Sequence, residues 1–164
     1  MSIMTFITDN IKKSIASRGK DAEADVKAVF SAISAKVAEF DFERIADARA
    51  AGGRMKATTA DFQYFRPGAH GVCEVKEVKH DYRLPLTEER RKQINRIRRR
   101  ALAGGEVIFL VKHTTSGLWR RVPLDVLVTE KQKPSIDLSD LPTHKTCKEA
   151  LSEVPGMKLL ATFA

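Results

Sequence analysis

Asp61 and Glu74 lie thirteen positions apart, and Lys76 follows two beyond the second acid. Side chains two apart on a strand share a face, so Glu74 and Lys76 point the same way. If the two segments pair as a hairpin, Asp61 lies beside them. Two carboxylates suit Mg²⁺, a hard cation that takes oxygen ligands and keeps waters, and one such water can attack a phosphodiester. Lys76 would then position that water or steady the charge growing on phosphorus. Glu77 and Lys79 repeat the Glu-x-Lys spacing on the opposite face of the same strand, so two registers stay open at this point.

The charge distribution names the partner that such a site would act on. Lys and Arg number 29 against 21 Asp and Glu, and the stretch 83–121 alone holds eleven basic and three acidic residues. That stretch therefore carries the whole net charge of +8, and the remainder is neutral. A one-signed surface attracts a polyanion, with nucleic acid the leading candidate. Arg90, Arg91, Lys92, Arg96, Arg98, Arg99 and Arg100 surround an apolar stripe of Ile94, Ile97 and Ala101, so several must face outward as a track for a phosphate backbone. The plain alternative is a solvated helix face. With few aromatics in this region, base stacking is not indicated.

The elements that must position these groups fit one domain. A chain of 164 residues with 43% hydrophobic content can bury a single core. Collagen, mucin and disordered tail are excluded. Cys73 and Cys147 are isolated from each other and from any metal-ligand spacing, which implies reduced, buried thiols. No apolar run approaches 18 residues and no signal-peptide layout is present, so the expectation is an intracellular, cytoplasmic protein of a cell or of a virus-infected host, with no membrane partner.

Residues 1–17 read as an N-terminal arm or helix. Val26, Phe30, Ile33 and Val37 predict an amphipathic helix over 21–38, and Glu23 continues its stripe. Phe40 and Phe42 predict a strand, 46–60 a small, basic, glycine-containing loop, and 61–65 with 72–79 a hairpin turning at Pro67-Gly68. Thr87 is a predicted N-cap for a helix that Gly104 stops. Strands follow over 106–112 and 119–122, then a short helix or strand over 124–128, a proline-bearing connection over 133–143 and a helix over 146–154. This alternation predicts a single α/β domain with a central mixed β-sheet flanked by helices. Residues 21–122 form the expected catalytic core and 123–164 a C-terminal extension, read as a lid or dimer arm.

The residues resemble the RecU-type Holliday junction resolvases, members of the PD-(D/E)xK nuclease superfamily. The resemblance lies in Thr59-Ala60-Asp61, Glu74-Val75-Lys76, Leu84-Pro85-Leu86 and Gln93, and spans about 21–111. The seventeen-residue step from Lys76 to Gln93 fits that family only in the Glu74 register. The resemblance implies a restriction-endonuclease-like core in which Asp61 and Glu74 are metal ligands, the Val75 carbonyl completes the shell and Lys76 is the catalytic lysine. Glu23 corresponds to an acid that related resolvases direct at the site from their first helix. Gln93 would orient the scissile phosphate or a metal-bound water, and Thr59 would contact phosphate. The segment 44–56 takes the place of a stalk that enters the junction, and it is shorter here; Arg49, Arg54 and Lys56 on it would touch phosphates. Ala60 replaces the proline in the superfamily's name.

The resulting expectation is a Mg²⁺-dependent endodeoxyribonuclease, with Mn²⁺ able to substitute. It would resolve four-way DNA junctions by paired nicks as a homodimer, because a two-fold junction calls for two identical sites. Another nuclease of the superfamily acting on ends, flaps or mismatches, and a non-catalytic DNA-binding module, are the alternatives.

Overall fold

The computed structural model describes residues 20–45 and 59–164. The N-terminal arm and the loop carrying Arg49, Arg54 and Lys56 lie outside the described residues.

Among the described residues five strands form one sheet in the order β1-β2-β3-β5-β6, with β1 at Asp41–Arg44, β2 at Phe62–Arg66, β3 at Ala69–Val78, β5 at Glu106–His113 and β6 at Trp119–Arg121. Only β3 and β5 run parallel, joined through β4 (Arg83–Pro85) and helix α2 (Glu88–Leu102). The other neighbours in this sheet are antiparallel, so the sheet is mixed and the expected α/β class holds. The β2–β3 hairpin turns at Pro67-Gly68, where Gly68 takes a φ of 74°, a left-handed conformation open to glycine.

Alternation along the strands gives the sheet two unlike faces. One face carries Phe42, Phe62, Tyr64, Cys73, Val75, Ile108 and Leu110, which pack under helix α1 (Lys20–Ser34) around Val26, Phe30 and Ile33. Phe30 is the hub, with four aromatic rings within 5.9 Å centroid distance of it. Tyr64 crosses Gly71 to donate to Glu106 Oε2 at 3.0 Å, and a Cβ at position 71 would sit 2.5 Å from its ring. The opposite face is covered by α2 through Ile94 and Ile97, which meet Val78, Phe109 and Val111. Thr87 Oγ1 caps this helix by accepting from Arg90 N, and Glu88 and Glu89 at its start with Arg99 and Arg100 at its end complement its dipole.

Several boundaries differ from expectation for identifiable reasons. The first helix stops at Ser34, and the chain then turns through Ala35 to Phe40, with Val37 and Phe40 of that stretch still packing onto the core. The connection over 133–143 contains β7 (Ser135–Asp137), which pairs with β4 as a separate two-stranded ribbon. Leu124–Thr129 is helical, here α3.

The region 123–164 is not a lid set apart from the core. Its helices α4 (Cys147–Ser152) and α5 (Met157–Ala161) bury Cys147, Ala150, Leu151, Met157 and Leu160 in the aromatic cluster beneath α1. Leu127, Ile136 and Leu138 complete the cluster under α2. Both cysteines are free and buried, as expected.

Candidate active site

The β2–β3 ladder ends at the pair Phe62 and Cys73. Beyond it β2 leaves β3, and the Val75 N–H donates to Asp61 Oδ2 at 2.8 Å. The side chain thus bridges the gap where the backbone pairing stops. Asp61 continues the face shared by Gln63 and Phe65, and Glu74 and Lys76 lie on that same face of β3. The predicted trio is brought together by this divergence of two strands.

Glu74 is fully buried. Lys76 Nζ forms an ion pair with its Oε1, and the Gln93 amide of α2 also favours its ionised form. Neither contact is a well-directed hydrogen bond, and both carboxylate oxygens are shut from water without such a partner among the described residues. Burial outweighs the help from Lys76, and together with the nearby Asp61 charge it pushes the carboxyl up to about 8. Asp61 is raised for the same reason, burial first, with Lys76 and the Val75 N–H opposing. Two raised carboxyls beside one lysine leave a deficit of positive charge. A hard divalent cation would supply it, so the residues present fit Mg²⁺, with Asp61, Glu74 and the Val75 carbonyl as its holders.

Gln93 lies in the first half of α2 and against Glu74. Arg90 is close enough to Glu74 to feel its charge, and donates to the Pro85 carbonyl. Arg91 is used differently, donating to the carbonyls of Lys131 at 2.5 Å, Lys133 at 3.0 Å and Leu86 at 3.2 Å. It fastens α2 to the chain after α3. Arg98, Arg99 and Arg100 are exposed, Arg96 is half-buried, and exposed Lys92 lies 3.7 Å from Glu88. Thr59 is half-buried just before Asp61.

Glu23 stands beside the cluster, and its charge reaches Asp61, which it helps to raise. It belongs to α1, on the other side of the sheet, and its Oε2 accepts from Arg44 Nε at 3.0 Å and from a second guanidinium nitrogen at 2.5 Å. Among the described residues no three His, Cys, Asp or Glu side chains are grouped to hold a metal. Glu77, the rival of Glu74, also lies on the α1 face, where its Oε1 accepts from Ala22 N at 2.8 Å and caps the helix start. Sequence reading missed Arg44, whose charge reaches Asp61 from the end of β1. Its signal was its parity with Phe42, which places it on the face where Glu23 lies.

No family model matches the chain, and no curated protein matches it. Among solved structures it is similar to Hjc, a Holliday junction resolvase of the archaeal hyperthermophile Archaeoglobus fulgidus, at 19% identity and a TM-score of 0.49, over 74% of this chain and 88% of that one. Among the described residues no helix is long and apolar enough to cross a membrane.

Proposed function

We propose that this protein is a Mg²⁺-dependent endonuclease acting on branched, double-stranded DNA, with four-way junctions as its substrate. One observation carries the reading: Glu74 is wholly buried with neither oxygen properly hydrogen-bonded, on the same sheet face as Asp61 and Lys76. A carboxylate kept in that condition costs folding free energy, and a cation shared with Asp61 would offset it.

Asp61 and Glu74, with the Val75 carbonyl, would hold the ion. When bound, Mg²⁺ supplies charge against the phosphodiester and acidifies the attacking water. Lys76 would orient the attacking water and oppose negative charge on the phosphoryl oxygens. Gln93 aligns the scissile phosphate. Arg98, Arg99 and Arg100 steer the backbone without regard to sequence. Hydrolysis by in-line attack leaves 5′-phosphate and 3′-hydroxyl ends, which a ligase can rejoin. A two-fold dimer carrying two such sites nicks opposite strands of a junction.

The test is incision of a synthetic immobile junction, beside a linear duplex, by wild type, Glu74→Ala and Lys76→Ala with and without Mg²⁺. Metal-dependent cutting of the junction by wild type is expected. Each variant should lose on the order of a hundredfold or more in rate while still binding the junction. Normal cutting by Glu74→Ala would refute the site.

A further inference from the structure

The contacts of α2 fix which way its two flanks face. Gln93 lies against Glu74 on β3. Arg91, two residues earlier and about 200° away around the helix axis, donates to the carbonyls of Lys131 at 2.5 Å and Lys133 at 3.0 Å. Asn95, one turn beyond Arg91, accepts from Lys131 Nζ at 3.2 Å. Helical spacing then sorts the remaining arginines. Arg96 and Arg100 follow Gln93 on the flank beside the carboxylates, whereas Arg98 follows Arg91 and Asn95 on the flank turned away from them.

The far flank gathers positive charge and leaves it uncompensated. Arg91 is drawn to the backbone carbonyl of Lys131, and the Lys131 ammonium to an amide oxygen, so neither partner is charged. Arg98 is exposed one turn beyond Asn95. Among the described residues none of these three cations forms an ion pair, although Lys133 close by is paired with Glu130. Crowding like charges costs free energy, and a polyanion laid across them would offset it. Arg91 is also fixed before any ligand arrives, because three carbonyls hold it. A helix whose two sides meet the phosphates of one major groove has to enter that groove. α2 cannot, since β3 borders it on the Gln93 side and the chain at 131–133 on the Arg91 side. One duplex therefore does not serve both flanks, and the strand being cut belongs on the flank beside Glu74.

We infer that the far flank of α2, with Arg91, Arg98 and Lys131, binds the phosphate backbone of a second duplex arm of the same branched DNA. The inference rests on the reading of the chain as a branched-DNA nuclease, and it deepens that reading by giving a source for selectivity. A branch point presents two arms at once, and a linear duplex presents one. Lys131 escaped the sequence reading because it lies outside the basic stretch and joins this flank only through the fold.

Fluorescence anisotropy of a labelled immobile four-way junction and a labelled linear duplex, both without divalent metal and over a series of salt concentrations, tests it. Wild type should bind the junction more tightly than the duplex. Combining Arg98→Gln with Lys131→Gln should flatten the plot of log affinity against log salt by about two for the junction, roughly 0.9 per lost phosphate contact, and by less than about 0.5 for the duplex. Arg98→Gln alone, which leaves the Lys131–Asn95 contact in place, should flatten the junction plot by about one. Arg100→Gln, on the near flank, should flatten both plots by about one. Circular dichroism checks that the variants fold as wild type does. An unchanged junction plot in the double variant, or equal losses on both DNAs, would overturn the inference. Glu74→Ala serves as the separating control: unchanged cutting by that variant removes the nuclease reading, whereas a junction-selective loss in the double variant still supports the far flank as a binding surface.

Discussion

The two faces of the sheet are built to different rules. Beneath α1 every large side chain is matched: Phe30 is ringed by Phe40, Phe42, Phe62 and Tyr64, Tyr64 reaches Glu106, Glu77 caps α1 and Glu23 binds Arg44. On the opposite face α2 covers only part of the surface, and beside its apolar seam Glu74 is buried without proper hydrogen bonds. Glu77, Glu23 and Tyr64 on the first face have hydrogen-bond partners, whereas the Glu74 carboxylate on the second is held ready for something the chain itself does not contain. Stability and chemistry are thus divided between the two sides of one strand, with Val75 and Glu77 facing one way and Glu74 and Lys76 the other.

That contrast can be broken at its strongest point first. Phe30→Ala should cost about 3–5 kcal/mol, because it removes a ring from the centre of a closely packed cluster. Urea denaturation at neutral pH measures it; a loss below about 1 kcal/mol would mean that the α1 face is not the stabilising side.

On the other face the sign reverses. Glu74 ionises near 4.5 when unfolded and near 8 in the fold, so between those values the folded state holds a proton that the unfolded state has released. The contribution of Glu74 therefore falls as pH rises from about 4.5 to 8, then levels off. Glu74→Gln should accordingly stabilise the metal-free protein by on the order of 2–4 kcal/mol at pH 8.5 and by almost nothing near pH 4. Thermal melts across that range decide it, and destabilisation by Glu74→Gln at pH 8.5 would show that the ion pair with Lys76 outweighs burial. Mg²⁺ should raise the melting temperature of wild type at pH 8.5 and leave Glu74→Gln nearly unmoved.

The smallest effect sharpens the comparison. Arg44→Ala removes the partner of Glu23, but the Arg44 side chain is half exposed, so the loss should stay under about 1 kcal/mol in the same urea titration. A loss above about 2 kcal/mol would make the Glu23–Arg44 pair part of the scaffold.

Much of the site was legible because its signals are local. Glu74 and Lys76 share a face by strand geometry alone, and Thr87, Glu88 and Glu89 mark the start of α2 by cap and dipole. Gln93 was singled out through a spacing, and the fold sets it against Glu74. What escaped was set by tertiary contact. Three-residue strands such as β4 and β7 are too short for alternation to register, and only their mutual pairing defines them. Arg91 looks in sequence like its exposed neighbours, yet three carbonyls claim it. How closely Glu23 approaches Asp61 depended on where the helix carrying it lies against the sheet, which no periodicity within the helix can tell.

A second polar group is buried in comfort by contrast. His113 is wholly enclosed, its Nδ1 is 2.6 Å from the His80 carbonyl and its Nε2 is 2.9 Å from Arg120. Arginine can only donate, so Nε2 accepts and Nδ1 bears the proton. Burial holds this imidazole below its ordinary range, which keeps it neutral.

The parallel pairing of β3 with β5 also fixes an order of assembly. The hairpin of β2 and β3 uses near neighbours in the chain, whereas β5 starts 28 residues after β3 ends and must return across α2. Contacts between distant segments form late, because loop closure must precede them. A nascent chain that has emerged only as far as the hairpin therefore carries Glu74 as an ordinary, water-washed acid, and its unusual proton affinity arises only when the last large piece of the sheet docks.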